Sequence, residues 1–447
     1  MTERASKKGI WSWMLFDWAG QPFHTLVITF IFAPYFASEL FFASEAEGQA
    51  TWGYLVAFAG ILVAFSAPIL GGIADRSGPR KPWVFGFGAL FFIGSYGLWW
   101  AEPGMSGLYW IYLSFIAAFI GAEYIIVFTN SILPDLVPRE EVGKISGYGW
   151  AIGYAGGVLV LFVMLLFMVT PPGSDLTVMG NAPIFGLDAT KGEGYRAAGP
   201  LSAIWFVVFA IPFFLFTPDK RTDVPIGEAA AKGATGLRAA WRKIKPHPEI
   251  WMFFGASLLY RDALVVLYSF GAIYAKTALG WGQMDLLIFG IVAAIAGAFG
   301  AWIGGWVDGR KGSMPVVTFS IVALILVTVA VLSITKDTVL MMKVEEGSNL
   351  PTIAFIICGA VIGAAGGSMQ ASSRALVVAF VGDKLTMTEA FGIYAMAGKA
   401  TAFVGPFLVA VVTTLSDSNR IGLTPIIPIL LVGYIVLVMA RKRMVPA

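Results

Sequence analysis

Six charged residues invite a chemical reading because each lies inside a long apolar stretch: Asp17, Glu123, the adjacent Arg261 and Asp262, Arg374 and Lys399. A charge at the centre of a lipid span costs at least about 2.5 to 3.5 kcal/mol on insertion scales, so each needs a compensating role. Two roles compete. Buried ion pairs can fix helix register, whereas a polar solute or a proton crossing a membrane needs charged partners on its way. For Asp17 and the Arg261/Asp262 pair, which lie nearer span ends, both readings stay open. Glu123, Arg374 and Lys399 lie deeper and read as ligands of a solute or a proton. Glu123 and Asn130 are seven residues apart, and Gln370 and Arg374 four apart, so each pair shares one face of a helix. Opposite signs suit a zwitterion: Lys399 and Arg374 for a carboxylate, Glu123 for an ammonium.

Coupling to protons needs a carboxylate whose surroundings change. Burial raises a carboxyl pKa and a nearby cation lowers it, so a group that meets each in turn binds and releases one proton per cycle. Glu123 ranks first, because IAAFIGAEYIIVF places no basic residue within a turn of it. Asp17 and Asp262 follow.

The elements that must hold these residues are membrane helices. Of 447 residues, 58% are hydrophobic and 13% are Asp, Glu, Lys or Arg, which excludes a water-soluble fold. Twelve stretches are long enough for a hydrocarbon core of roughly 30 Å, centred near Ile28, Ile61, Phe91, Phe119, Phe162, Val208, Val266, Ile295, Leu324, Ile362, Phe403 and Val432. A Gly/Pro-rich loop over residues 171–200 and a charged linker over 218–250 interrupt them, giving a six-helix bundle at 1–217 and another at 251–447. Within the linker, GLRAAWRKIKP reads either as an amphipathic helix on the inner leaflet or as a solvated tether. Lys and Arg concentrate on the loops that share a side with the N-terminus, which predicts cytoplasmic termini. The basic start, MTERASKKGIWSW, has no small-residue cleavage site behind it and reads as a retained first span.

Enzyme chemistry has little to stand on. The two histidines, His24 and His247, make no metal pair at helical spacing, the single Cys358 excludes an internal disulfide and a thiolate cluster, and neither a Walker loop nor a Gly-x-Ser-x-Gly elbow occurs. No catalytic residue, metal or cofactor is expected. A net charge of +3 spread over short loops argues against nucleic acid.

Internal repetition is visible. Gly71, Gly72, Asp75 and Pro82 recur 233 residues on as Gly304, Gly305, Asp308 and Pro315, and Gly147 and Gly153 recur 245 residues on as Gly392 and Gly398. The second offset pairs Tyr154 with Lys399 and adds Tyr154 to the solute-binding candidates. Packing at the bilayer interface explains Tyr148, Trp150 and Tyr154 equally well.

GGIADRSGPRK resembles the signature between the second and third spans of the major facilitator superfamily, with Gly71, Asp75, Arg76, Gly78 and Arg80 at matching positions and Pro79 in place of the usual basic residue. Its second copy, GGWVDGRKG, keeps Asp308 and has Gly309 where Arg76 would be. MLFDWAGQPFHTLVITFIFAPYF, NSILPDLVPREEVGKISGYGWAIGYAGG, GGSMQASSRALVVAF and EAFGIYAMAGKATAFVGPFL are similar to the bacterial relatives of the vacuole effluxers, autophagy-associated amino-acid exporters. Gly20, Gln21 and Pro22 depart from the commoner Asn-Ser-Ala there. The resemblance implies an all-α fold of twelve helices in two pseudo-symmetric bundles, a central cavity lined by spans one, four, seven and ten, and gating by Gly71, Asp75, Arg76, Gly78, Arg80 and Asp308. It also implies proton-coupled export of a small polar solute such as an amino acid, by a monomer in the bacterial inner membrane. Efflux of an amphiphile, drug or lipid, remains an alternative, as does a non-transporting receptor or scaffold.

Overall fold

The computed structural model describes residues 4–105, 107–171, 173–219, 241–345, 347–400 and 404–444, without the side chains of Ala46, Asp75, Arg76, Ala272, Gln283, Met284 and Ala400. Backbone N–H and C=O groups have no water to bond in hydrocarbon, so apolar stretches of this length must satisfy them internally as helices. The helices are α1 (Lys7–Pro22), α2 (Glu45–Ser77), α3 (Lys81–Gly97), α4 (Tyr109–Leu136), α5 (Arg139–Phe167), α6 (Ala198–Phe216), α7 (Pro248–Tyr274), α8 (Gln283–Lys311), α9 (Ser313–Leu332), α10 (Leu350–Val381), α11 in two described segments (Met387–Ala400 and Val404–Ser416) and α12 (Ile426–Met444). The sheet content described is one hairpin, Thr338–Val339 with Met342–Lys343. Phe65 (68%), Phe85 (69%) and Phe319 (75%) stand open on the outside, where a soluble fold would be polar.

Eleven of the described helices are long and apolar enough to cross a bilayer. The first expected span is the exception, for a local reason. Pro22 has no N–H to continue the α pattern, and from Phe23 to Phe30 the chain winds as a π-helix before the short turn Phe32–Phe36. Phe403, the expected centre of the eleventh span, lies outside the described residues, as do residues 220–240 of the expected linker and most of its basic segment.

Ser6 and Ser44 cap α1 and α2 through the N–H groups of Gly9 (3.1 Å) and Glu47 (3.2 Å). Gly78, at φ 90°, ends α2 in a conformation that a side chain resists. The N-terminal strand of chain ties down one side of the bundle, since Ala5 N–H donates to Leu136 O at 2.9 Å and Thr217 Oγ1 to Gly9 O at 3.2 Å. We call this the N-side.

On that side the two repeats meet along two related seams. Gly147 of α5 lies against Ala301 and Gly305 of α8, and Gly392 of α11 lies against Ala67 and Pro68 of α2. The repeat offsets carry Gly147 to Gly392 and Pro68 to Ala301, so the same glycine serves the same approach twice. A β-carbon at Gly147 would sit 2.7 Å from Ala301 O, closer than packed atoms tolerate. Gly147→Val is therefore expected to hold the N-side open. Spin-label distances between α5 and α8 on that side would lengthen, and an unchanged distance would rule the seam out as a closing contact.

Candidate solute and proton site

The deepest charges pair across the repeats. Lys399 Nζ of α11 lies 2.8 Å from Glu123 Oε1 of α4, with the side chains 25% and 13% exposed. Lys399 also rests 4.8 Å from the centre of the Phe119 ring, and its stem passes over Gly60 of α2. His24 and Arg261 are further titratable neighbours of Glu123. The π-helix carries His24 to this point, and Thr29 Oγ1 bonds the His24 carbonyl at 2.8 Å. Arg261 is held by Tyr394, through Nη1 to the carbonyl at 3.0 Å and with its guanidinium 4.2 Å over the ring. Gly398 allows this, because a β-carbon there would lie 2.6 Å from the guanidinium. Asp262 is buried, with its backbone near Gly405.

Arg374 forms a separate knot. Its Nε donates to Ser146 Oγ at 2.7 Å, Nη1 to Asn130 Oδ1 at 2.8 Å, and Nη2 to Ser146 O at 2.9 Å and Asp17 Oδ2 at 3.1 Å. Four of the five guanidinium donors are thereby used. Trp13 lies 4.8 Å beneath, and Ser146 Oγ bonds back to Ala371 O at 2.6 Å. One residue of α10 thus ties α1, α4 and α5. Asn130 is seven residues along α4 from Glu123, about 10 Å nearer the N-side. The expected joint hold of Arg374 and Lys399 on one carboxylate is not what the structure displays: the two cations face different partners at different depths.

Tyr154 of α5 has Tyr268 of α7 and Gln370 of α10 as polar side-chain neighbours. Its ring lies over Gly297, where a β-carbon would be 3.3 Å away, and the Tyr268 hydroxyl lies over Gly366. Tyr268 keeps 39% of its surface open.

Of the expected gating residues, Arg80 is buried and bonds Asp135 at 2.7 Å and Thr388 Oγ1 of α11 at 3.3 Å. Asp219 accepts from the N–H groups of Arg80 (3.1 Å) and Lys81 (2.7 Å), capping α3. Gly71 lies against Thr388 O, 2.7 Å from where its β-carbon would be. Gly78 ends α2 as described. The Asp75 and Arg76 side chains lie outside the described residues. Asp308 is buried against Gly143 in the opening turns of α5 and accepts from Ser313 Oγ at 2.9 Å. A 260 Å³ recess lies elsewhere, between α7 and α11 around Phe270, Tyr274, Val409 and Thr413. It is apolar and touches none of these charges.

Sequence reasoning passed over His24, Ser146, Tyr268, Asp135 and Asp219. Tyr268 had a signal, since it stands seven residues from Arg261 and so shares its helix face. Ser146 had none: a serine two residues from Tyr148 is ordinary in a glycine-rich helix.

Comparison with known proteins agrees with the architecture. Residues 39–444 match the family described as vacuole effluxer Atg22 like. The chain is 24% identical over 428 residues to an uncharacterised MFS-type transporter of Bacillus subtilis (strain 168), YxiO, covering 95% of this chain and 93% of that protein. It is 21% identical over 321 residues to autophagy-related protein 22 of Cryptococcus neoformans, where the match takes in 68% of this chain and 52% of the fungal protein. Among solved structures, the E. coli fucose:proton symporter superposes with a TM-score of 0.69 at 14% identity, over 98% of each chain. A proton:xylose symporter does so with a TM-score of 0.67 at 15% identity, over 97% of this chain and 94% of the other.

Proposed function

The chain belongs to the Atg22-like vacuole effluxer family of major facilitator transporters, and on that footing we propose that it exports a small zwitterionic solute, an amino acid, in exchange for protons. It is an integral membrane protein and a secondary transporter, not an enzyme. One observation carries the finer reading: the Glu123–Lys399 pair, which bridges the repeats with both side chains partly exposed. Each member of such a pair is a counter-ion that a zwitterion can replace, ammonium for Lys399 at the carboxylate and carboxylate for Glu123 at the amine.

Alternating access then runs between bodies 1–217 and 251–447, joined by 218–250. Arg374, with Asp17 and Asn130, closes the N-side beneath the solute, and Arg80 and Asp308 close the seams. Separation of Glu123 from Lys399 leaves its carboxylate to take up the coupled proton, with Asp17 and Asp262 as the next candidates. The family's name, effluxer, supports outward movement, and the symporter names of the solved relatives support proton coupling. The protein acts as a monomer in a bacterial cytoplasmic membrane, with both termini in the cytoplasm.

A ligand-stabilisation screen on purified protein tests the solute class. Binding to the folded state raises the melting temperature, by about 2.7 kcal/mol of stability at a hundredfold excess over Kd. Amino acids are expected to stabilise, and their amides or deaminated analogues are not. Stabilisation by amphiphiles alone would replace this reading with efflux of a drug or lipid.

A further inference from the structure

We propose that the solute is an amino acid with a neutral hydrogen-bonding side chain, an amide or a hydroxyl, read by the trio Tyr154, Tyr268 and Gln370. The inference rests on the zwitterion reading above and adds the part of the site that selects the side chain.

The trio is a constructed feature. Its members come from α5, α7 and α10, and glycines on α8 and α10 make the room: the Tyr154 ring lies over Gly297, and the Tyr268 hydroxyl over Gly366. Two phenols and one amide supply donors and acceptors but no charge. They pack between helices and not as isolated rings of the bilayer-interface belt, Tyr154 against Gly297 of α8 and the Tyr268 hydroxyl against Gly366 of α10. Tyr268 is nonetheless 39% open, so part of its ring faces space that a ligand can fill.

The trio is also in register with the charges. Tyr268 is seven residues from Arg261 on α7, the same face about 10 Å along, and Arg261 neighbours Glu123. Once side chains reach in from both levels, that spacing leaves room for one small solute, with its charged head at Glu123 and Lys399 and its tail at the tyrosines. Neutral groups of this kind reject an aliphatic tail more strongly than they reward a polar one. An apolar ligand would leave buried donors and acceptors unpaired, the asymmetry by which a hydrogen-bonding pocket discriminates.

The test uses isosteric pairs on the full-length purified protein: L-asparagine against L-leucine and L-threonine against L-valine, with Kd read by calorimetry. Asparagine and threonine are expected to bind about tenfold more tightly than their apolar partners, about 1.4 kcal/mol. In Tyr268→Phe, which removes one oxygen and keeps the ring, the ratio is expected to fall toward one. Tyr154→Phe serves the same purpose should the first variant not fold. Equal binding within each pair by the wild type overturns the inference while leaving an amino-acid site intact. An unaltered ratio in both phenylalanine variants also overturns it, because selectivity would then lie elsewhere. If none of the four binds, the zwitterion reading itself fails, and this inference with it.

Discussion

Glu123→Gln and Lys399→Gln, made singly, are each expected to lower stability by about 3 kcal/mol, and the double variant to regain most of that loss without regaining uphill transport. Removing one partner of an enclosed ion pair leaves an uncompensated charge, for which about 3 to 5 kcal/mol is typical, while replacing both is nearly neutral. The lower end applies because both side chains are partly open, at 25% and 13%. The transport readout separates function from structure. Glu123→Gln keeps the shape of the carboxylate but neither takes up a proton nor offers the ammonium a charge, so exchange of solute at equal pH should persist with a raised KM while accumulation on a pH gradient is lost. If the double variant accumulates solute as the wild type does, the pair is structural and the zwitterion site must be given up.

Arg374→Ala is expected to open the N-side by shifting the balance of states on the order of a hundredfold, without abolishing affinity for solute. Its guanidinium makes four bonds to α1 and α4 and α5 groups, including the Asp17 carboxylate, and the loss of such a buried partner is worth about 3 kcal/mol. Spin labels at exposed Glu140→Cys and Asp383→Cys, in a Cys358→Ala background, read the distance across the N-side directly. A distance distribution that moves outward with Kd retained marks Arg374 as a latch. An unmoved distribution with Kd lost would return it to the solute-binding residues, where its depth in the sequence first placed it.

The membrane architecture was legible because hydrophobic length is a direct physical requirement of the bilayer. The seams were legible for a similar reason: Gly147 and Gly392 recur where two backbones must touch, and only glycine permits that. What composition could not reveal was pairing. Arg374 and Lys399 look alike in sequence, as deep cations on the tenth and eleventh spans. Yet the turn of each helix directs one to Asp17 and the other to Glu123. The break in the first span has a cue in Pro22, which was read only as a departure from Asn-Ser-Ala, and the π-helix that follows it, carrying His24, had none. His24 was set aside because it makes no metal pair with His247 at helical spacing. Its titratable neighbours, Glu123 and Lys399, lie about a hundred residues or more away in the chain.

The central claim is that solute movement and proton movement are linked through this enclosed pair. It is tested most directly in proteoliposomes holding the wild-type protein, with an amino acid that stabilises it in the screen, equal solute on both sides and an imposed pH gradient. The account predicts that solute concentrates against its own gradient, that collapsing the pH gradient stops it, and that Glu123→Gln never does so. Solute that only equilibrates under gradients of H⁺ or Na⁺ would contradict the account and make the protein a uniporter.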